Sequence, residues 1–186
     1  MASVRYIEIR LKNDLTHTIL KTQKENFASP LNCYFKEFNS AFPDIDIFFG
    51  SLGSFFEYEP IEGSFETGPP YTLEVMDKMA IRLEKLLSQS QLPLSFVVFV
   101  PDWQTPPADF IIQMGKSKFL RSDFVLKGRQ YSYVSGNQHH TSEEDRFFIL
   151  PMDTHLYILQ NDAGNKKWPV TKEKVQLFEN SLLGKI

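Results

Sequence analysis

A Gly-Pro-Pro-Tyr turn is the stretch of this sequence best suited to binding chemistry. Gly68, Pro69, Pro70 and Tyr71 follow a short run of strand character at residues 64–66. Prolines hold the backbone rigid, so the turn can present backbone carbonyls and a flat ring to a planar ligand. A nucleobase amine needs acceptors for its hydrogens and a ring for stacking, which is worth about 1–3 kcal/mol per base. The structural alternative is a rigid stop at the end of a strand.

The elements on either side of this turn are predicted to form a βαβ unit. Residues 72–87 carry apolar side chains at helical spacing, and residues 94–100 are a continuous apolar run typical of a strand covered on both faces. In such a unit the turn lies at the carboxyl end of a parallel strand, where α/β proteins bind ligands. The apolar stripe of the helix comprises Leu73, Met76, Met79, Ala80, Leu83, Leu86 and Leu87.

Strands and helices alternate along the chain, which predicts an α/β fold built as a three-layer sandwich. Upstream of the turn, residues 26–42 are predicted as a short strand, a turn at Ser29 and Pro30, and then a helix. One face of this helix would carry Leu31, Tyr34, Phe35 and Phe38. One or two short strands are expected around Gly50 and Gly53.

Three further elements are predicted toward the C-terminus. Residues 124–134 and 154–161 have the composition of strands, with the polar loop "SGNQHHTSEED" between them. Residues 171–183 are predicted as a surface helix. His139 and His140 are adjacent in the polar loop, a spacing poor for shared metal ligation, so we expect solvated side chains and no metal site.

Composition predicts one globular domain, residues 1–186. The hydrophobic content of 42% and the aromatic content of 14% are sufficient for a buried core. A formal charge of −3 argues against nonspecific phosphate binding, which needs a basic surplus. The only cysteine, Cys33, excludes an intrachain disulfide and is expected to be a small buried residue. No signal-like segment or long apolar run is present, so we expect a cytoplasmic or nuclear protein without a membrane span.

Five segments, in this order over residues 27–169, carry a resemblance to a known family. They are "FASPLNCYF", "SAFPDID-FFGSLGSFFEYEP", "GSFETGPPY", "PLSFVVFVPDW" and "LQNDAG-KWP". Together they resemble the catalytic domain of the phosphorylated CTD interacting factor 1 family, the cap-specific adenosine N6-methyltransferase of messenger RNA. The resemblance implies a Rossmann-like, class I S-adenosylmethionine-dependent methyltransferase fold, with a mostly parallel seven-stranded sheet whose last strand is antiparallel. It also implies methyl transfer to N6 of 2′-O-methyladenosine beside the cap.

The family motif Asn-Pro-Pro-Phe is Gly-Pro-Pro-Tyr in this chain. In the family's chemistry the asparagine oxygen and the first proline's carbonyl accept the two amine hydrogens, while the aromatic ring stacks on the base. By resemblance, Gly68, Pro69, Pro70 and Tyr71 are the catalytic positions, and Tyr71 keeps the stacking plane. Gly68 has no side chain. Loss of one preorganised hydrogen-bonding group has lowered rates by about 10²–10³-fold in other enzymes.

Two neighbouring side chains carry oxygens that could replace the missing amide. Thr67 precedes Gly68, but successive side chains on a strand point to opposite faces. Glu66 keeps the strand alternation with Gly68, although it would reach the site only after a shift of the backbone. We expect neither to replace the asparagine without such a change.

The resemblance also implies a site for S-adenosylmethionine, beginning at the "ASPLN" turn. Pro30, Leu31 and Asn32 would contact the methionine part of the cofactor. Considered without the resemblance, Asn32 is better explained as a helix N-cap.

A second segment is implied to approach the adenosine half of the cofactor. Ser51 and Gly53 would allow close approach of the backbone, and Asp44 or Asp46 would hold the ribose hydroxyls. The choice between the two aspartates stays open. Without the resemblance, the glycines of this segment are simple turn formers.

The one basic-rich stretch is the candidate track for an RNA backbone, with a solvated surface as its alternative. It comprises Lys116, Lys118, Arg121, Lys127 and Arg129, with Phe119 and Tyr131 nearby. Trp103, after the predicted strand 94–100, would either line the mouth of the substrate site or pack at the core.

The resemblance implies RNA, including capped mRNA, as the partner. Animal-type members carry a WW module and a helical domain, and we expect residues 1–25 to supply neither. Cap recognition would then need a protein partner. Three hypotheses follow: an active RNA N6-adenosine methyltransferase, an inactive pseudo-methyltransferase that binds RNA or protein, and a methyltransferase for proteins or small molecules.

Overall fold

The computed structural model describes residues 7–8, 17, 20–135, 142 and 147–183. The strands are β1 (Ile7–Glu8), β2 (Lys24–Glu25), β3 (Gly63–Thr67), β4 (Leu94–Pro101), β5 (Leu120–Leu126), β6 (Tyr133–Ser135), β7 (Phe147–Phe148) and β8 (Thr154–Gln160). The helices are α1 (Pro43–Asp46), α2 (Leu73–Gln89), α3 (Asp109–Gly115), α4 (Asp162–Lys167) and α5 (Lys172–Leu182). A 3-10 turn, Ile47–Phe49, follows α1 directly.

The main sheet is mixed and has five strands in the order β2-β3-β4-β8-β5. β2, β3 and β4 are parallel, whereas β8 is antiparallel to both of its neighbours. The antiparallel direction expected for the last strand is therefore confirmed. Beyond β2, two isolated parallel bridges continue the sheet, from Glu25 to Phe38 and from Phe38 to Ser51. A separate antiparallel sheet has the order β1-β6-β7.

Apolar side chains cover both faces of β4, as its continuous apolar run predicts. Phe96, Val98 and Val100 belong to the cluster that includes α2 and α3. Val97 and Phe99 belong to the cluster that includes α5. All five are fully buried, and each such side chain contributes about 1.5–3 kcal/mol to folding. Helices α2 and α3 thus pack on one face of the sheet, and α5 packs on the other.

The predicted helix at 72–87 is confirmed as α2, with Thr72 at its N-cap position. Its stripe is buried from Met76 onward, which orients the helix on the sheet. Leu73, the first residue of the helix, is the exception and is 55% exposed. No helix in the described part of the chain is long and apolar enough to cross a membrane.

The predicted helix over 31–38 is wrong. Asn32 Oδ1 accepts hydrogen bonds from the N–H and the hydroxyl of Ser29, both at 2.7 Å, and this closes a local turn. Such side-chain bonds to nearby backbone compete with helix formation. The backbone of Phe38 is meanwhile taken by the sheet edge, where its carbonyl accepts the N–H of Leu52 at 2.7 Å. Leu31 and Tyr34 are consequently exposed rather than packed on a shared face.

Strand predictions were confirmed where the apolar run was long. The strand predicted at 154–161 is β8, which ends at Gln160, with Asn161 as the N-cap of α4; the helix predicted at 171–183 is α5, with Thr171 as its N-cap. The strand predicted at 124–134 is instead divided between β5 and β6, because a turn with Arg129 at a φ of +67° separates them. Around residues 47–53 the structure has the 3-10 turn and one bridge in place of the predicted strands. His139 and His140 lie outside the described residues.

The turn after β5 is held by a carboxylate, which predicts an acid-sensitive contribution to stability. Asp153 accepts the N–H of Gly128 at 2.8 Å and the ammonium of Lys127 at 2.7 Å. The Gly128 hydrogen bond, and then Lys127, hold the pKa of Asp153 below its usual range. This stabilisation is therefore present above the ordinary aspartate pKa, about 3.9, and is lost as pH falls through the lowered pKa.

We expect Asp153→Asn to lower the free energy of unfolding by about 1 kcal/mol at pH 7 and by less at a pH below the lowered pKa of Asp153, where the native carboxylate is also protonated. Urea unfolding at the two pH values measures the difference. Asp162→Asn, at a fully exposed carboxylate paired with Arg121, is the control and should change stability little. An equal loss for Asp153→Asn at both pH values would contradict the assignment.

Candidate functional site

The Gly-Pro-Pro-Tyr turn, residues 68–71, lies at the carboxyl end of β3 in the parallel part of the sheet. The N–H of Thr72 donates to the carbonyl of Pro70 at 2.8 Å, which joins the turn to the start of α2. Pro69 is buried, and Tyr71 is half-buried. The Tyr71 side chain packs against both apolar clusters, so the ring lies where the two faces of the sheet meet at this edge.

Open space surrounds Gly68. A Cβ placed on this residue would have no heavy atom within 4 Å, and Gly68 is not among the glycines with a positive φ. Neither the backbone nor the neighbouring atoms therefore require glycine at this position. The first atom of a side chain, the Cβ, therefore fits here without displacing the protein.

Thr67, the nearest side-chain oxygen, is already engaged. Its hydroxyl accepts a hydrogen bond from Asn26 Nδ2 at 2.9 Å, and both residues are almost fully buried. Glu66 is also buried and pairs in register with Glu25 on the neighbouring strand. Thr67 is therefore unsuited to replace the missing side chain at position 68. Glu66 stays in the strand pairing, as the sequence predicts, and its backbone is not shifted toward position 68.

The turn at residues 29–32, which follows β2, is closed by Asn32. The Asn32 side chain is 3% exposed, and its oxygen binds back to Ser29. Its backbone N–H donates to the carbonyl of Ser29 at 3.1 Å. No helix follows, so the N-cap alternative for Asn32 is wrong. Pro30 is half-buried and Leu31 is exposed at the tip of this turn.

A third segment, residues 39–53, is tied together by small polar groups. The hydroxyls of Ser40 and Ser51 are 2.7 Å apart, and the N–H of Gly53 donates to the Ser51 hydroxyl at 3.2 Å. Asn39 Nδ2 donates to the carbonyl of Gly53 at 3.1 Å. Gly53 has a φ of +96° and no heavy atom within 4 Å of an added Cβ, so glycine is needed here for the backbone conformation.

The two acidic candidates in this segment differ in burial. Asp46 is 8% exposed, and its backbone carbonyl accepts the N–H of Ser51 at 3.2 Å. Asp44 is exposed in the first turn of α1. Asp46 is therefore held against the segment, and Asp44 faces solvent.

Contacts between the residues that flank them bring all three segments to one edge of the sheet. Asn26 and Thr67 connect the end of β2 to the end of β3. Phe27 packs on Phe55 with ring centroids 4.9 Å apart, which links the 29–32 turn to the chain after Gly53. The predicted site residues are thus brought to neighbouring loops. Sequence reasoning missed Asn26; a polar amide directly after a short strand was the available signal.

Comparison with protein families shows which family the chain belongs to. The family model described as "Phosphorylated CTD interacting factor 1 WW domain" matches residues 10–136. The chain belongs to the phosphorylated CTD interacting factor 1 family. The matched residues include β2 to β5 and helices α1 to α3.

Two curated relatives extend this result. The chain is 42% identical over 160 residues to the human protein named "mRNA (2'-O-methyladenosine-N(6)-)-methyltransferase" and 43% identical to the mouse protein of the same name. Each alignment covers 86% of this chain and 23% of the relative. The chain therefore spans about a quarter of the length of these relatives.

The other side chains considered from the sequence take structural positions in this family member. Cys33 is half-buried rather than buried as expected. Partial burial, and then the charge of Glu25, raise the pKa of its thiol, so Cys33 is protonated at neutral pH and is a poor nucleophile. Trp103 packs on the α2–α3 cluster, with its ring 6.1 Å from that of Phe110, which favours the core alternative.

Two of the five basic candidates for an RNA track are paired with carboxylates. Arg121 binds Asp162 at 2.8 Å, and Lys127 binds Asp153 at 2.7 Å. The ammonium of Lys118 lies 5.0 Å from the centre of the Phe119 ring. These pairs reduce the positive charge that the stretch can offer to phosphates.

A polar network that joins β5, β8 and the residue after β4 was not expected from the sequence; its His155 and Tyr157 are buried, and its Asp123 is exposed. His155 Nε2 lies 2.9 Å from Asp123 Oδ2, and His155 Nδ1 lies 3.1 Å from Asp102 Oδ1 and 3.0 Å from the Tyr157 hydroxyl. Burial, and then the charges of Asp123 and Asp102, raise the pKa of Tyr157. Its hydroxyl thus stays protonated and available as a donor. Within the described ranges, no three His, Cys, Asp or Glu side chains converge as metal ligands.

Proposed function

We propose that this chain is a methyltransferase domain that transfers a methyl group from S-adenosylmethionine to N6 of 2′-O-methyladenosine beside an mRNA cap. The observation that supports it is the Gly-Pro-Pro-Tyr turn at the carboxyl end of a central parallel strand, in a chain 42% identical to a protein named for that reaction. The ligand crevice of an open α/β sheet lies at this edge. The proposal covers the domain, because the relatives are about four times longer.

The isolated bridges support the finer fold proposal. Counting Phe38 and Ser51 as two minimal edge strands gives the order Ser51, Phe38, β2, β3, β4, β8, β5. That sheet has seven members, with only β8 antiparallel. We propose that it is the Rossmann-like methyltransferase sheet, covered by helices on both faces.

The polar groups at this edge of the sheet are suited to bind S-adenosylmethionine. Ribose hydroxyls need acceptors, and Asp46, Ser40 and Ser51 place a carboxylate and two hydroxyls in one segment. Gly53 and Gly68 both border open space, so a ligand can approach the backbone closely at both positions. We assign Pro30, Leu31 and Asn32 to the amino-acid part of the cofactor, with Asn32 holding the shape of the 29–32 turn.

The assignment gives each residue of the Gly-Pro-Pro-Tyr turn a separate task. S-adenosylmethionine, when bound, supplies an electrophilic methyl group. Tyr71 provides the plane on which adenine stacks, and the carbonyl of Pro69 accepts one hydrogen of the N6 amine. Pro70 fixes the backbone between them and ties it to Thr72. Gly68 offers no side-chain acceptor for the second hydrogen, so the amine is held by one bond instead of two.

An exposed apolar segment supports the proposed protein partner. Phe42, Ile45, Ile47, Phe48 and Phe49 are each more than 60% exposed, and Phe48 reaches 86%. Contiguous apolar surface of this kind commonly marks a protein interface. We propose that a partner protein supplies cap recognition and that the RNA itself is the substrate.

The missing side chain at Gly68 favours a second candidate, a pseudo-methyltransferase. In that case the cofactor or RNA still binds, and no methyl group is transferred. An unmade hydrogen bond to the reacting amine is worth about 1–3 kcal/mol. A slow enzyme and an inactive pseudo-methyltransferase therefore differ only in the rate of methyl transfer.

Cofactor binding is the first prediction of the proposal. We expect S-adenosylhomocysteine to bind the purified chain with a measurable Kd in isothermal titration, because the 29–32 turn and residues 39–53 keep an ordered set of polar groups. Adenosine alone should bind more weakly, since it lacks the amino-acid part. Absence of both heat and thermal shift at millimolar ligand would refute the cofactor assignment.

A methyl-transfer assay tests the reaction itself. The chain is incubated with methyl-labelled S-adenosylmethionine and capped RNA that begins with 2′-O-methyladenosine, with matched RNA beginning with 2′-O-methylguanosine as the control. Label on N6 of the first RNA alone supports the enzyme. Cofactor binding without label in either RNA supports the pseudo-methyltransferase.

A further inference from the structure

One side-chain hydrogen bond joins the two loops of the candidate site. Asn26 Nδ2 donates to Thr67 Oγ1 at 2.9 Å. Asn26 is 1% exposed and Thr67 is 0% exposed, so water cannot replace the bond. A buried amide or hydroxyl that loses its partner costs about 1–3 kcal/mol, which makes the pairing strongly preferred.

The bond lies at the last point where β2 and β3 run together. Glu25 and Glu66 are the final paired residues, and the N–H of Asn26 still donates to the carbonyl of Glu66 at 2.9 Å. After Asn26 the chain leaves for the 29–32 turn. After Thr67 it enters the Gly-Pro-Pro-Tyr turn at once. The side-chain bond therefore fixes the starting separation of the two loops.

We propose that Asn26 and Thr67 are positioning residues, whose hydrogen bond sets the spacing between the 29–32 turn and the Gly-Pro-Pro-Tyr turn. This inference rests on the proposed function, in which these turns hold the cofactor and the acceptor amine. Reactions between two bound groups depend on their alignment, and a displacement of about 1 Å can lower a rate by about 100-fold. Neither side chain needs to touch either ligand.

β3 supplies a matched control at its opposite end. Ser64 Oγ donates to the carbonyl of Leu20 at 2.9 Å, and Ser64 is 0% exposed. Ser64 therefore carries the same kind of buried hydrogen bond on the same strand, near the amino end and away from the proposed site. Ser64→Ala should lower stability without moving the loops.

The test compares three variants for S-adenosylhomocysteine affinity, by isothermal titration well below their unfolding temperatures. Thr67→Val keeps the shape of the side chain and removes the oxygen, and we expect its Kd to rise at least about tenfold. Thr67→Ser keeps the hydroxyl and should stay within about twofold of the wild type. Ser64→Ala should also stay within about twofold, even where its unfolding temperature falls as far as that of Thr67→Val.

Each outcome has one meaning. If the wild type binds and Thr67→Val binds equally well, the positioning role is overturned while the proposed function stands. If Ser64→Ala weakens binding as much as Thr67→Val, the bond is only structural and the inference is also overturned. If the wild type does not bind at all, the proposed function fails, and this inference fails with it.

Discussion

Gly68→Asn is expected to raise methyl transfer to capped RNA beginning with 2′-O-methyladenosine by one to three orders of magnitude, about 1–4 kcal/mol of barrier. The new amide oxygen would accept the amine hydrogen that Gly68 leaves without an acceptor. The structure makes this substitution sterically simple, because no heavy atom lies within 4 Å of the added Cβ. Rates from labelled cofactor, measured under single turnover, give the comparison.

Gly68→Leu is the control for side-chain size. Leucine has nearly the shape of asparagine and no acceptor, so it should leave the rate at or below that of the wild type. Both variants should bind S-adenosylhomocysteine as the wild type does. A fall in an already robust activity on Gly68→Asn would mean that glycine belongs to a different working chemistry and that the site is not defective.

Tyr71→Ala should abolish methyl transfer, with a loss of at least about 100-fold. The ring supplies the plane on which the base stacks, and without it the amine is no longer held near the reacting methyl group. The measurement is again single-turnover transfer. To give a signal large enough for this loss, it is best made in the Gly68→Asn background.

Tyr71→Phe separates stacking from other effects. It keeps the ring, as the family motif does, and should retain activity within a few-fold. Because Tyr71 also packs on both apolar clusters, Tyr71→Ala will lower stability, and an unchanged Kd for S-adenosylhomocysteine is needed to show that the fold is intact. Full activity of Tyr71→Ala would remove Tyr71 from the site.

Long apolar patterns made the centre of the fold predictable. The run at 94–100 is buried on both faces, the stripe of residues 72–87 is buried from Met76 onward, and β4 and α2 follow them closely. β8 was predictable for the same reason, and α5 was predicted as a surface helix. In these elements local pattern and tertiary packing agree.

The outer edge of the sheet was less predictable because small polar contacts decide its conformation. Apolar residues at helical spacing over 31–38 suggested a helix, yet Asn32 closes a turn on Ser29 and the backbone of Phe38 joins the sheet. Periodicity does not report such bonds. The split after β5 has a similar cause, since Asp153, 25 residues from Gly128, holds the intervening turn.

The sequence indicated which residues form the candidate site but not which contacts they make. Residue types and a position after a strand singled out the Gly-Pro-Pro-Tyr turn, and resemblance singled out the 29–32 turn. The bond between Asn26 and Thr67, 41 residues apart, became visible only in the structure. The burial of Asp46 and the exposure of Asp44 likewise depend on how α1 packs, which the sequence does not indicate.

A crystal structure of the chain with S-adenosylhomocysteine would show whether the cofactor binds at this edge of the sheet. We expect ligand density against Pro30, Leu31 and Asn32, with the sulfur facing the open space at Gly68 and the Tyr71 ring. The Asn26–Thr67 hydrogen bond should be intact in that complex. Density at another edge of the sheet, or an edge closed by protein side chains where the ligand should lie, would contradict the assignment of this site.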